Sequence, residues 1–152
     1  MIEELVVTDV AHDGACLFHA LGAQLGVTGA ELRAYLVSQI QTRRKSLVVN
    51  GTLLEDWVHW NADTCLDTYA RAMSMPYAWG GGLEMAIIAR LSGRPIRVYT
   101  PTLDGRACKL SYQFAESDDK HNPKSHQTRK PQPIRVLYVN NSHFMILEKE
   151  TK

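Results

Sequence analysis

The feature that most constrains this chain is a change of hydrophobic period near residue 95. Before it, large apolar residues recur at helical spacing: Leu17, Leu21 and Leu25, then Leu32, Leu36, Ile40 and Leu47, then Leu54, Trp57, Val58, Leu66, Tyr69 and Met73. After it come short runs rich in β-formers at 96–99, 109–114, 134–139 and 144–147. Helices first and strands last predict an α+β fold, with helices packed on a small, mostly antiparallel sheet. With 152 residues, 45% of them hydrophobic, the chain can bury one core but not two, so a single domain over 1–152 is expected.

Local signals divide the helical part. Gly26 ends the first helix, and Thr28-Gly29-Ala30-Glu31 matches a capping box for a second, expected to reach about residue 48. Asn50-Gly51 is a turn signal, and 53–75 reads as one or two further helices stopped by Pro76. Glycines 80–82 lead into a helix over 82–91, with Gly93 near its cap. The polar stretch 115–133 reads as a mobile surface loop. Its Asp118, Asp119, His121 and His126 lack the buried framework of a metal site.

Charge excludes several classes of partner. The formal net charge is +1, and the one dense basic run, Arg43-Arg44-Lys45, falls in a helical pattern as a solvated face, so no nucleic-acid partner is expected. No apolar run approaches the roughly 20 residues that span a bilayer, and Met1-Ile2-Glu3-Glu4 lacks the order of a signal peptide. A soluble monomer with no membrane partner is expected, in the cytoplasm, or in host cytoplasm if the source is viral or bacterial. Cys16, Cys65 and Cys108 are odd in number and widely spaced, which fits a reducing compartment better than a disulfide framework.

Cys16 stands apart from the other two. It follows the polar break His12-Asp13-Gly14-Ala15 and opens an amphipathic pattern, which places a thiol at a helix N-terminus, where unpaired N–H dipoles favour the thiolate. Gly14 lets backbone N–H groups of Gly14, Ala15 and Cys16 turn toward an oxyanion, and Asp13 can hold that loop through its backbone. The competing reading is an inert buried thiol. Cys65 and Cys108 have no glycine-rich loop before them and read as structural. Among six histidines, His143 is favoured as the base, because it enters a strand directly after Asn140-Asn141-Ser142 and a sheet would fix its direction. A solvated turn histidine is the alternative.

Asp13-Gly14-Ala15-Cys16-Leu17-Phe18 resembles the D-G-x-C-[LF]-[FY] nucleophile motif of the ovarian-tumour (OTU) family of deubiquitinating cysteine proteases. Trp79-Gly80-Gly81 resembles that family's W-G-G segment, and His143-Phe144 its His-aromatic ending, in the family's order. The resemblance implies a papain-like α+β core. It also implies hydrolysis of the peptide or isopeptide bond at the carboxyl terminus of ubiquitin or a ubiquitin-like modifier, with no metal or other cofactor. Cys16 would be the nucleophile, His143 the base, and Asp13 the residue shaping the oxyanion loop. Trp79, Gly80, Gly81 and Phe144 would contact the substrate, the glycines admitting a glycine-ended tail by close backbone approach. The competing reading makes Trp79 core and the glycines a turn.

One position departs from the pattern. Family members usually place Asp or Asn two residues after the histidine to orient it, and here that residue is Met145, which can neither accept strongly nor stabilise charge. Asn141 is the first replacement, since residues two apart share a face if the strand already begins there. Asp9, ahead of the Cys16 loop, is the second, since the resemblance includes members that take the acidic residue from the amino-terminal side, and a bare Cys–His dyad is the third. Met145 also motivates two rivals: a ubiquitin-binding module with little catalysis, and a viral-type protease acting mainly on a polyprotein.

Overall fold

A computed structural model describes residues 5–43, 46–115 and 132–149. Strand β1 (Leu5–Thr8) precedes helices α1 (Cys16–Leu25) and α2 (Gly29–Thr42). A small hairpin of β2 (Val48–Val49) and β3 (Thr52–Leu53) leads into α3 (Leu54–Ala62), α4 (Leu66–Met73) and α5 (Gly82–Ser92). The chain then forms β4 (Ile96–Pro101), β5 (Cys108–Phe114), β6 (Ile134–Val139) and β7 (His143–Lys149). The main sheet runs β1-β7-β6-β4-β5, antiparallel except for the β4–β6 pair. The expected mixture of helices and mostly antiparallel sheet is what forms.

Helix boundaries follow the caps. Thr28 and Glu31 make the reciprocal capping box, each bond 3.0 Å, and Gly93 closes α5 at φ +70°. Helix α2 stops at Thr42, short of the expected residue 48. The reason lies in the next residues: Val48-Val49 are β-branched and sit beside Asn50-Gly51, whose φ values of +50° and +79° suit a tight hairpin turn. The hairpin is tied down by the Leu54 N–H to the Leu47 carbonyl and by Trp57 Nε1–H to the Val49 carbonyl, at 2.9 and 2.8 Å. Leu47 is buried as its apolar spacing suggested, but from a loop.

The core is one cluster joining α1 to the sheet. Leu17, Phe18, Leu21, Leu36, Ile40, Ile87, Ile96 and Ile134 are essentially sealed from solvent. Helix α1 packs on β6 and β7, and α5 on β4 and β5. Most of the expected loop at 115–133, with the Asp118, Asp119, His121 and His126 group, and Arg44 and Lys45 of the basic run, lie outside the described residues. No helix among the described residues is long and apolar enough to cross a membrane.

The apolar run Leu5-Val6-Val7 becomes an edge strand, and its register has a consequence. Thr8 pairs with Ile146. Continuing that antiparallel register by one step sets Asp9 level with Met145, so His143 becomes its diagonal neighbour on the same face. Phe18, fully buried on α1 beneath the Arg33 guanidinium, is a test of the core: Phe18→Ala should cost about 3–5 kcal/mol in urea unfolding. A loss under about 1 kcal/mol would contradict this packing.

Candidate active site

Three segments meet at the N-terminus of α1. Cys16 is its first residue, with Ala15 as N-cap. Asp13 shapes the turn before it: its Oδ1 accepts the Ala15 N–H at 2.9 Å, and its carbonyl accepts the Cys16 N–H at 3.2 Å. His19 Nε2 also lies 3.4 Å from Asp13 Oδ1. Of the three expected oxyanion donors, Ala15 and Cys16 are therefore engaged within the turn, while Gly14 shows no such bond among the described residues. A side chain at Gly14 would collide with the Tyr77 carbonyl oxygen, so glycine is demanded there by close approach.

The second segment carries the tryptophan. Gly80 lies over α1, where an added Cβ would come within 2.8 Å of Leu17 and 3.1 Å of Phe18. Two buried charged residues pin this segment. Arg33 donates to the Met73 and Ala78 carbonyls at 2.9 and 2.8 Å, with its guanidinium 4.2 Å over the Phe18 ring. Glu84 accepts the Gly81 N–H at 2.7 Å and the Tyr69 hydroxyl. Burial lowers the Arg33 pKa, and the charge of Glu84 opposes that shift. Trp79 itself is exposed, which removes the core reading and leaves it free to wall a channel.

The third segment is the β6–β7 hairpin. His143 begins β7 and is buried, while the Cys16 thiol points at the Ser142 carbonyl, 4.0 Å away. Cys16 and His143, 127 positions apart in sequence, thus share one corner of the fold.

The residue that engages His143 is Asp9, not Asn141. His143 Nε2 lies 2.7 Å from Asp9 Oδ1, which also accepts the Val10 N–H at 2.9 Å. Asn141 is exposed in the turn at φ +54°, as is Asn140, because β7 starts only at His143. A left-handed turn residue does not continue the strand's alternation, so the shared face expected for Asn141 and His143 does not exist. Phe144, expected to contact the substrate, is buried and stacked on Tyr138 with ring centroids 4.5 Å apart, so it supports the hairpin from the core.

His12, in the polar break before Cys16, joins the pair. Its Nε2 lies 2.7 Å from Asp9 Oδ2, and its ring stacks on His143 with centroids 3.7 Å apart and planes 20° from parallel. These bonds, His12 first and His143 second, hold the Asp9 carboxyl well below the usual carboxylate range. An ionised carboxylate only accepts, so both imidazoles must carry a proton on Nε2, leaving Nδ1 of His143 to receive one.

Asp9, His12 and His143 have ligand-type atoms within 4.8 Å of one another. An ion about 2 Å from both nitrogens would have to lie near both ring planes. Stacked rings do not converge in that way, and the arrangement suits a shared carboxylate. A cavity of about 540 Å³ lined by Asp13, Ala15, His19, Arg33 and Tyr77 abuts the loop, but neither Cys16 nor His143 lines it. Cys65, expected to be structural, is exposed at the N-cap of α4, 3.2 Å from the Thr68 hydroxyl.

The sequence pattern of the OTU-like cysteine proteases matches residues 11–144, from the nucleophile loop to the hairpin. The chain belongs to this family. It is 26% identical over 144 residues to the OVARIAN TUMOR DOMAIN-containing deubiquitinating enzyme 4 of Arabidopsis thaliana, a match covering 91% of this chain and 41% of that protein. It therefore spans about two-fifths of the length of that curated relative. The OTU domain of OTUD1 shares the fold at a TM-score of 0.68 and 16% identity, over 94% of this chain and 85% of that one. So does the Hazara virus OTU bound to ubiquitin, at 0.67 and 18% identity, over 97% and 83%.

The OTU site carries a pH signature. Because the Asp9 pKa is depressed on folding, its contribution to stability is present above its ordinary value of 3.8 and is lost as pH falls below that toward the folded value. The gap in Tm between wild type and Asp9→Asn should therefore narrow as pH is lowered below 3.8. A gap independent of pH would mean that the bonds to Asp9 do not form.

Proposed function

We propose that this OTU-like cysteine protease hydrolyses the peptide or isopeptide bond at the carboxyl terminus of ubiquitin or a ubiquitin-like modifier. The observation that carries the reading is the placement of Cys16 at a helix N-terminus beside a histidine whose far nitrogen is held by Asp9. The deubiquitinating relative and the ubiquitin-bound neighbour support the choice of substrate.

In this reading His143 Nδ1 takes the Cys16 proton, and the thiolate attacks the carbonyl carbon of the modifier's last residue. The oxyanion is held by N–H groups of the Gly14–Cys16 turn; the Gly14 N–H is uncommitted among the described residues, and the 3.2 Å bond from Cys16 is long enough to exchange. The imidazolium, stabilised by Asp9, protonates the leaving amine. Water, deprotonated by His143, then hydrolyses the thioester. Trp79, Gly80 and Gly81 form the wall and floor along which a slender tail lies. The protein works in a reducing compartment such as the cytoplasm, which keeps the thiol free.

The binding-module alternative was motivated by Met145. Asp9, one residue past the adjacent strand β1, now supplies an acceptor, so that motive is gone.

The test is a mass shift with ubiquitin and ubiquitin-like proteins carrying a carboxyl-terminal electrophile, together with turnover of a carboxyl-terminal amide. Wild type should form an adduct and Cys16→Ala none. Asp9→Ala should lower kcat on the order of a hundredfold, and Asn141→Ala by no more than about twofold. No adduct with any modifier from folded protein would overturn the substrate. Equal losses in Asp9→Ala and Asn141→Ala would overturn the assignment of Asp9.

A further inference from the structure

We infer that His12 is a positioning residue for the catalytic histidine, acting through Asp9. The inference rests on the Cys16–His143 reading above, but not on which modifier is cleaved.

Asp9 lies on the segment between β1 and α1, and its side chain keeps 54% of its exposure, whereas that of His143 keeps 9%. An exposed carboxylate would ordinarily turn freely about its last bond and exchange its hydrogen bonds with water. Here each oxygen is assigned. Oδ1 takes His143 Nε2 and the Val10 N–H, and Oδ2 takes His12 Nε2. Occupying Oδ2 removes the rotation that would carry Oδ1 away from His143. The His12 ring also lies on the face of the His143 ring, limiting its tilt and shielding the Asp9–His143 bond from water on that side.

Among the described residues, Asp9 and His12, both from the segment after β1, contact the His143 ring, and the Cys16 thiol at the N-terminus of α1 lies against the carbonyl of the preceding Ser142. On β6 the residue paired with His143 is Val139, which carries no charge. Its ability to stabilise the Cys16 thiolate therefore depends on how firmly Asp9 supports its protonated form. His12 touches neither the thiol nor the reacting carbonyl in this scheme, so its effect appears as a change in the His143–Cys16 pair.

A readout that needs no substrate separates this inference from the proposed function. The rate of Cys16 carbamidomethylation by iodoacetamide, followed on the Cys16 peptide by mass spectrometry so that exposed Cys65 does not interfere, reports thiolate as a function of pH. His12→Ala should move the midpoint of that profile up by about half a unit or more, and lower kcat roughly tenfold on any substrate the wild type turns over, with KM little changed. His12→Gln, whose amide can still donate to Oδ2, should recover most of both effects. His12→Phe, which keeps a stacked ring without a donor, should resemble His12→Ala. Because the His12 side chain is 68% exposed, all three variants should melt within a few degrees of wild type. A His12→Ala profile superimposed on wild type would overturn the inference. So would recovery by His12→Phe but not by His12→Gln, since the ring would then act by packing alone.

Discussion

The hydrogen bond from His143 Nε2 to Asp9 ties the chain's beginning to its end and depends on the register of an edge strand. Strand β1 has only four residues, and its exposed valines contribute little to the core. Its value lies in where it releases the chain: with Thr8 opposite Ile146, the next residue emerges level with Met145 and diagonal to the histidine. An acid two residues after the histidine and an acid just past the end of the neighbouring strand reach the histidine from nearly the same side. The first can be methionine when the second is present.

Around that bond, the remaining parts are held by buried polar groups whose partners are mostly backbone. Arg33 fixes the carbonyls of Met73 and Ala78, and Glu84 fixes the Gly81 N–H. Between them the tryptophan-glycine segment is clamped at both ends, while Gly14 and Gly80 allow the nucleophile loop, α1 and that segment to approach at backbone distance. A buried arginine costs desolvation and is tolerated only because both carbonyls, Glu84 and the Phe18 face compensate it. Stability and local geometry are therefore coupled: the residues that hold the tryptophan-glycine segment also seal the core around Cys16.

Much of this was legible in the sequence because it is local. The capping box at Thr28, the left-handed Gly93 and the change to strands near residue 95 are written in neighbouring residues, and the structure agrees. The three motifs also named the family. What failed needed long-range register. Asn141 looked able to share a face with His143, but two successive asparagines at φ +54° make a turn, and the strand begins one residue after Ser142. Asp9 could be ranked higher only by knowing that Leu5-Val6-Val7 pairs with the last strand. His12 gave no signal, because its role depends on where Asp9 and His143 meet. Arg33 adjoins the apolar face of α2, next to Leu32 and one turn before Val37, which was a usable hint of burial.

The central claim is that His143 presents Nε2–H to Asp9 and keeps Nδ1 for the thiol. Two-bond proton–nitrogen correlation spectra of His143 in Cys16→Ala, recorded at a pH where the imidazole is neutral, read this tautomer directly. The account requires a protonated Nε2 and an unprotonated Nδ1. A proton on Nδ1 with Nε2 bare would mean that Asp9 does not hold the ring, and would contradict it.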